Sequence, residues 1–305
     1  MVVHNGENGG DKIPVKNGQL HYFEYSENHD QSTTPIHIIT KIQFPVPFWV
    51  TREYVLLPVI KRDSNIDQHT TWTSGFGYSL LTNEYKVVGI YMYKTNYVEV
   101  YIYTLGSGRG WRNLGKFNSQ FSTLTGRQGI FVRGSIYWMG TNLEIILTFD
   151  LVEEKFGEHL SPPPLTAENV WCIKTIGILD GFLFFANGLF TEGDYSNEIW
   201  ILKKKNDNDD MQERGERRSL GWSKEFRFDE RGKLLAFTRS GGVLTHIDNY
   251  LVIYDPIASS SKILVDYTEL FCQAVPHKNT LVSFQELGEE DARIMESADS
   301  EDGEP

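Results

Sequence analysis

Gly134-Ser135-Ile136-Tyr137-Trp138, then Ile145-Ile146-Leu147-Thr148-Phe149-Asp150, then Phe156 and a stop at Pro162-Pro163-Pro164, decide the fold. Apolar runs of strand length alternate with Gly, Asn, Asp and Pro, and each turn signal falls where a hairpin needs one. The stretch reads as one four-stranded antiparallel unit. The unit recurs. Gly181-Phe182-Leu183-Phe184-Phe185 leads to Glu198-Ile199-Trp200-Ile201-Leu202 and Trp222. Gly242-Val243-Leu244 leads to Leu251-Val252-Ile253-Tyr254-Asp255-Pro256 and Ile263-Leu264-Val265. Upstream, Tyr85-Lys86-Val87-Val88 leads to Val98-Glu99-Val100-Tyr101-Ile102-Tyr103 and Trp111. The period, roughly 45–60 residues, is that of propeller blades and lies close to the kelch spacing. One blade cannot bury both faces alone, so it needs neighbours.

Outward from the repeats, Leu20–Tyr25 and Ile36–Phe44 read as short strands, with Pro45 and Pro47 ending the second. Thr51–Pro58 with Ile60 is a further short apolar piece. The charged stretch Lys203–Ser219 has both signs and no apolar period, so it reads as a long exposed loop on one blade. Phe271–Phe284 carries two short strand signals that can pair back onto the N-terminal strands. No helix-period stripe of useful length appears, which excludes alternating α/β architecture. The expected organisation is a disordered lead over 1–16, a β domain over 17–285 and an acidic disordered tail over 286–305.

The formal charge is −12 over 305 residues, but it is unevenly placed. Glu286–Pro305 holds nine acids and one base, so the tail carries −8 of it and the body is nearly neutral. Such a body lacks the dense basic surface that nucleic acid requires. Two cysteines, Cys172 and Cys272, stand far apart in apolar settings and read as buried, reduced thiols. The first residues lack the apolar core of a signal peptide, and no apolar run reaches membrane-spanning length. The expectation is an intracellular protein, cytoplasmic or nuclear, with no membrane or nucleic-acid partner.

Candidate chemistry is sparse. Asp150 and Asp255 each follow an aromatic residue at a strand end, in equivalent repeat positions. A catalytic pair has to converge in a pocket, so a turn-forming role suits both better. Gly106-Ser107-Gly108-Arg109-Gly110 follows a strand and leads to Trp111, without the helix N-terminus and Lys-Ser/Thr of a phosphate loop. The eight histidines show no short metal-binding spacing and no adjacent cysteine. No catalytic residue, metal ligand or cofactor is expected. Trp111, Trp138, Trp200 and Trp222 fall inside strand runs, where packing is the default role of the ring. Trp72 and Trp171 lie near loops and are the candidate binding residues.

Thr73-Ser74-Gly75-Phe76-Gly77-Tyr78 and Thr82-Asn83-Glu84-Tyr85-Lys86-Val87-Val88 resemble the signature of plant F-box-associated domains. Val100–Ser107, Trp111-Arg112, Gly134–Trp138, Phe149-Asp150-Leu151 with Phe156, Glu198-Ile199-Trp200 and Tyr254-Asp255-Pro256 follow in the family's order. The match runs from about Leu20 to about Phe284. The resemblance implies a kelch-like β-propeller that holds a target protein for ubiquitylation. In that family an N-terminal helical F-box docks on the Skp-type adaptor of an SCF ubiquitin ligase. The sequence departs from the pattern twice. Residues 1–19 are too short and polar for an F-box, so direct docking on the Skp adaptor and cullin is expected only of F-box-containing relatives. Between Val50 and Thr51, roughly 25–30 residues of family-like strand pair are missing, most of one blade.

The fold expected is therefore all-β, a propeller of repeated antiparallel blades whose number and closure the missing segment leaves open. The function expected is recognition of an unknown target protein, without catalysis. The alternative is a propeller that binds glycans or small ligands through stacked aromatics. A propeller hydrolase is more distant, because no Asp, Glu and His converge at repeat-equivalent positions.

Overall fold

The computed structural model describes residues 19–25, 36–43, 53–60, 71–93, 97–118, 128–140, 144–164, 172–179, 181–191, 194–204, 220–229, 232–238, 241–266 and 283–294. All regular structure among them is β. Strands β1 (Gln19–Tyr25) and β2 (Ile36–Gln43) form an antiparallel pair. Strand β3 (Glu53–Tyr54) is short. The first large sheet is a meander of β4 (Thr71–Ser79), β5 (Glu84–Met92), β6 (Tyr97–Thr104) and β7 (Trp111–Asn118). The second runs through β8 (Ile130–Val132), β9 (Ser135–Met139), β10 (Ile146–Asp150) and β11 (Lys155–Phe156). The third holds β12 (Cys172–Leu179), β13 (Phe182–Thr191), β14 (Asp194–Lys204) and β15 (Leu220–Phe228). The fourth holds β16 (Lys233–Phe237), β17 (Val243–Ile247), β18 (Tyr250–Asp255) and β19 (Ser260–Asp266). Strand β20 (Arg293–Ile294) pairs antiparallel with β3. The four repeats read in the sequence are thus four four-stranded sheets, each in sequence order.

Burial explains the strand composition. Strands β5 and β6 are buried on both faces along most of their length, and their apolar runs are almost unbroken. The fourth strands are the polar ones: β19 is exposed over its first four residues, and much of β15 is exposed. Turn chemistry fits the hairpins. Between β8 and β9, Arg133 and Gly134 both take positive φ, as a two-residue type I′ turn requires. Asp150 Oδ1 accepts the amides of Val152 and Glu153, at 2.8 and 2.9 Å. Asp255 Oδ1 accepts those of Ile257 and Ala258, at 2.8 and 3.1 Å. The two aspartates therefore shape equivalent turns.

The chain divides into two compact units. The first comprises residues up to Ile136, Phe149–Phe156 and everything from His277; the second comprises Tyr137–Thr148 and Gly157–Pro276. In the first unit, β4, the opening strand of its sheet, meets the residue just before β8, the opening strand of the next, at a parallel bridge between Gly75 and Gly129, with the Gly129 amide 2.7 Å from the Ser74 carbonyl. In the second unit, one face of the third sheet packs Phe184, Ala186, Ile199 and Phe228 on Leu234, Val243 and Tyr254 of the fourth. Its other face packs Phe185, Trp200 and Trp222 around Met139 and Ile146. Next to Phe185 on that face, Asn187 is 1% exposed, and its side-chain oxygen accepts no hydrogen bond from the described residues.

One expectation needs correction. The acidic segment was expected to be disordered from Glu286 onward, but Glu286–Ile294 folds against the first sheet. Net charge misleads here because the segment carries apolar anchors, Leu287 and Ala292, directly behind the buried Phe284. Residues 295–305, the lead over 1–16, the junction at Val50–Thr51, most of the Lys203–Ser219 insertion, Trp171 and Cys272 lie outside the described residues.

Candidate functional site

The first sheet carries one strongly aromatic face. Direct pairing of Trp72 with Tyr91, of Tyr91 with Glu99, and of Tyr103 with Trp111 puts these side chains on the same side. Trp72 is half-buried. Its ring lies over Gly89, where a Cβ would come within 2.0 Å of it, and 4.3 Å from the Tyr91 ring. Trp111 stands edge-on at 6.3 Å. Ile60, Tyr91, Tyr93 and Tyr101 form the buried centre of this cluster. Trp72, the described candidate of the two, thus packs much of its ring on the sheet.

Glu99 lies within the same face. Tyr93 donates its hydroxyl to it at 2.7 Å, and the Asn113 amide donates at 2.8 Å. Burial pushes the Glu99 carboxyl up, but the donors from Tyr93, Asn113 and Tyr101 outweigh it, and the group sits below its ordinary value. The carboxylate is thus spent on holding the sheet face.

Toward the end of β6 the face is covered by the segment Ser283–Ile294. Its backbone closes on itself: the Leu287 amide bonds the Ser283 carbonyl at 3.1 Å, and the Glu289 amide bonds that of Phe284 at 2.9 Å. Phe284 and Leu287 pack with Val87, Tyr103 and Leu105, alongside Val55, Leu57 and Trp111. The Glu289 carboxylate, itself buried, accepts the Gly106 amide at 2.7 Å and the Tyr103 hydroxyl at 3.1 Å. Gly106 has φ +72, and a Cβ there would lie 1.5 Å from the Leu287 carbonyl oxygen. The Gly-rich loop meets this segment at Gly106. Its first glycine is the seat of this strap. Sequence reading missed Glu289 because it counted the residue as one tail acid among nine.

A second constellation ties the first sheet to the β10–β11 turn. Lys86, buried on β5, lies 2.9 Å from Glu154, 3.1 Å from Glu84 and 3.1 Å from the Leu151 carbonyl. Arg112 pairs with the other oxygen of Glu154. Burial raises the Glu154 carboxyl, and the hydrogen bonds from Arg112 and Lys86 bring it below its usual value. Two indoles act as pins at matching places. Trp111 donates to the Pro58 carbonyl at 2.7 Å and Trp222 to the Ser161 carbonyl at 2.8 Å, each fixing the segment that leads into its own sheet. Leu80 and Leu81, at the β4–β5 turn, are 81% and 79% exposed, and Ile257 at the β18–β19 turn is 93% exposed. Among the described residues no group of three or more His, Cys, Asp or Glu is placed to hold a metal ion. Among them, too, no helix is long and apolar enough to cross a membrane.

The repeated four-stranded meanders have a counterpart in known sequences. The pattern of the family described as the F-box associated beta propeller domain matches residues 20–209, well over half of the chain. The chain belongs to that family. A protein of Arabidopsis thaliana named as an F-box protein, At1g32420, is 23% identical over 207 residues, covering 60% of this chain and 63% of that protein. Another, At5g50220, is 28% identical over 165 residues, covering 52% of this chain and 39% of its own length. A third, At3g17480, is 28% identical over 152 residues and 39% of its length. The F-box associated domain described here therefore spans less than two thirds of each of these relatives. Among solved structures, Kluyveromyces lactis Hsv2 aligns over 61% of both chains at 9% identity with a TM-score of 0.21, a likeness too low to carry an argument. The residues that mark the family also do structural work. Gly77 makes room for Phe131 and Leu151, whose atoms lie 2.4 and 2.7 Å from where its Cβ would be, and Lys86 is the buried cation described above.

Proposed function

We propose that this chain is the target-recognition module of an F-box protein: it holds a protein for ubiquitylation by an SCF-type ligase and performs no chemistry itself. Membership of the F-box associated beta propeller domain family carries the reading. The fate of the acidic side chains supports it. Asp150 and Asp255 are spent on turns, Glu99 on a sheet face, Glu154 on an ion pair and Glu289 on the strap. In this reading the Skp adaptor and cullin are engaged through an F-box, and the target is engaged through the β domain. The chain works in the cytoplasm or nucleus and needs no cofactor. Trp72 and Trp171 are proposed target contacts, joined by the exposed Leu80 and Leu81.

The test is reconstitution. The chain is fused behind an F-box that docks the Skp adaptor, and proteins captured with it from plant cells are offered to the assembled ligase. At least one captured protein should be ubiquitylated by the fusion and not by the F-box alone. Capture without ubiquitylation, together with saturable binding to a glycan array, would favour the ligand-binding alternative.

A further inference from the structure

The strap over Ser283–Ile294 is held as a bound peptide is held. Over residues 283–292, Phe284 and Glu289 are the buried residues; Gln285, Glu286, Gly288, Glu290 and Asp291 are exposed. Its backbone bonds are mostly internal, so they do not tie it to the first sheet. Among the described residues, what ties it there is a small set of anchors. Phe284 and Leu287 sit against Val87, Tyr103 and Leu105. The Glu289 carboxylate takes one backbone amide and one phenol. The backbones of Leu287 and Gly106 meet closely: a Cβ on Gly106 would lie 1.5 Å from the Leu287 carbonyl oxygen, and a Cβ on Gly288 would lie 3.2 Å from the Gly106 carbonyl oxygen. A two-residue bridge between β20 and β3 closes the end. Charge-assisted hydrogen bonds from preset donors, flanked by apolar pockets, are the usual means of recognising a short acidic peptide. A contact resting on few anchors opens at lower cost than the sheets beneath it.

We propose that this face of the first sheet is a peptide-recognition groove occupied in the isolated chain by its own strap, and that target proteins enter it with a segment of the same chemistry. That chemistry is an aromatic residue, a leucine three positions on, a glycine or similarly small residue next, and then a carboxylate, as in Phe284-Gln285-Glu286-Leu287-Gly288-Glu289. The strap is therefore a built-in competitor, and a target has to displace it. The inference rests on the target-recognition reading and names the class of target segment.

The experiment uses the full chain and a labelled synthetic peptide of residues 283–294, read by fluorescence anisotropy. In the Glu289→Ala chain the strap loses its polar anchor while Gly106 and Tyr103 remain. This chain should bind the peptide more tightly than the wild-type chain does, by about ten-fold or more, because the strap loses both hydrogen bonds to its carboxylate. The peptide carrying its own Glu289→Ala change should lose that binding, and adding Gly106→Ala to the chain should abolish it. Should Glu289→Ala lower the melt so far that the chain is unfolded at the assay temperature, the Glu289→Gln chain keeps the shape and the acceptor, and the same ranking is expected in reduced form. No peptide binding to a folded Glu289→Ala or Glu289→Gln chain overturns the proposal, as does equal binding to the wild-type chain. Because only purified chain and peptide are needed, this result is independent of whether any captured protein is ubiquitylated.

Discussion

At the residue scale, Lys86 shows best how a buried charge is justified. Its side chain is 3% exposed and meets two carboxylates and a carbonyl. Removing a buried ion altogether is mild when an apolar chain of similar length fills the space, whereas removing its partner leaves an uncompensated charge. Lys86→Met is therefore expected to cost less stability than Glu154→Ala, by about 1 kcal/mol or more, in urea unfolding followed by tryptophan fluorescence. The opposite order would mean that Glu84 alone satisfies the ammonium. Trp138, 2% exposed on β9, is a packing residue. Trp138→Ala should lower stability by about 3–5 kcal/mol in the same assay. The sequence made Trp138 legible, because a tryptophan inside a strand run has few roles other than packing. It hid Lys86, because a lone lysine in a strand ordinarily faces water.

At the scale of elements, the meanders were readable because turn residues and apolar runs reinforce one another every few residues. Asp150 and Asp255 were readable as turn formers for the same reason. The strap was not, since its hold on the first sheet comes from partners more than 180 residues away, Tyr103 and Gly106. Composition reports local content and says nothing of a distant amide. Two truncations separate the parts. A chain ending at Ile294 should melt where the full chain does. A chain ending at Val282 should melt several degrees lower, because it uncovers apolar area around Tyr103 and Leu105 that Phe284 and Leu287 now cover, worth about 1.5–3 kcal/mol per fully buried side chain. Equal melting of the two would show that the strap adds nothing to the fold. Strands β1 and β2 were also legible, and their observed bounds lie within one residue of those read from the sequence; their pairing comes from the structure.

For the whole molecule, the family was legible from short motifs in order, while the proposed target contacts have no such signal, because contacts made by loops and edges follow no period. Stability against pH is a property of the whole chain, and its direction follows from how the buried groups are held. Glu99 and Glu154 have folded values below their unfolded ones, so their contribution is present above about pH 4.5 and is lost as the pH falls through the folded values. Tyr103 moves the other way. Burial, with Glu289 beside it, pushes its phenol from 10.0 up to about 12. Its contribution is complete below pH 10 and is lost as the pH rises toward 12. Melting temperature against pH should therefore fall at both ends, and Tyr103→Phe should flatten the alkaline fall while leaving the acid one unchanged. Asn187 gives the molecule a memory. It precedes Gly188 in β13, an Asn-Gly sequence that deamidates readily in a free chain, but the strand holds its backbone extended between Lys174 and Glu198. Each excursion out of the native state exposes it to that reaction. Once the amide becomes an acid, returning it to a site 1% exposed buries a charge, which the fold resists. Conversion at Asn187 is therefore expected to be slow in the folded chain and to grow with time spent in urea, as mass spectrometry of the peptide carrying it would read; equal conversion with and without urea would show that the strand gives no protection.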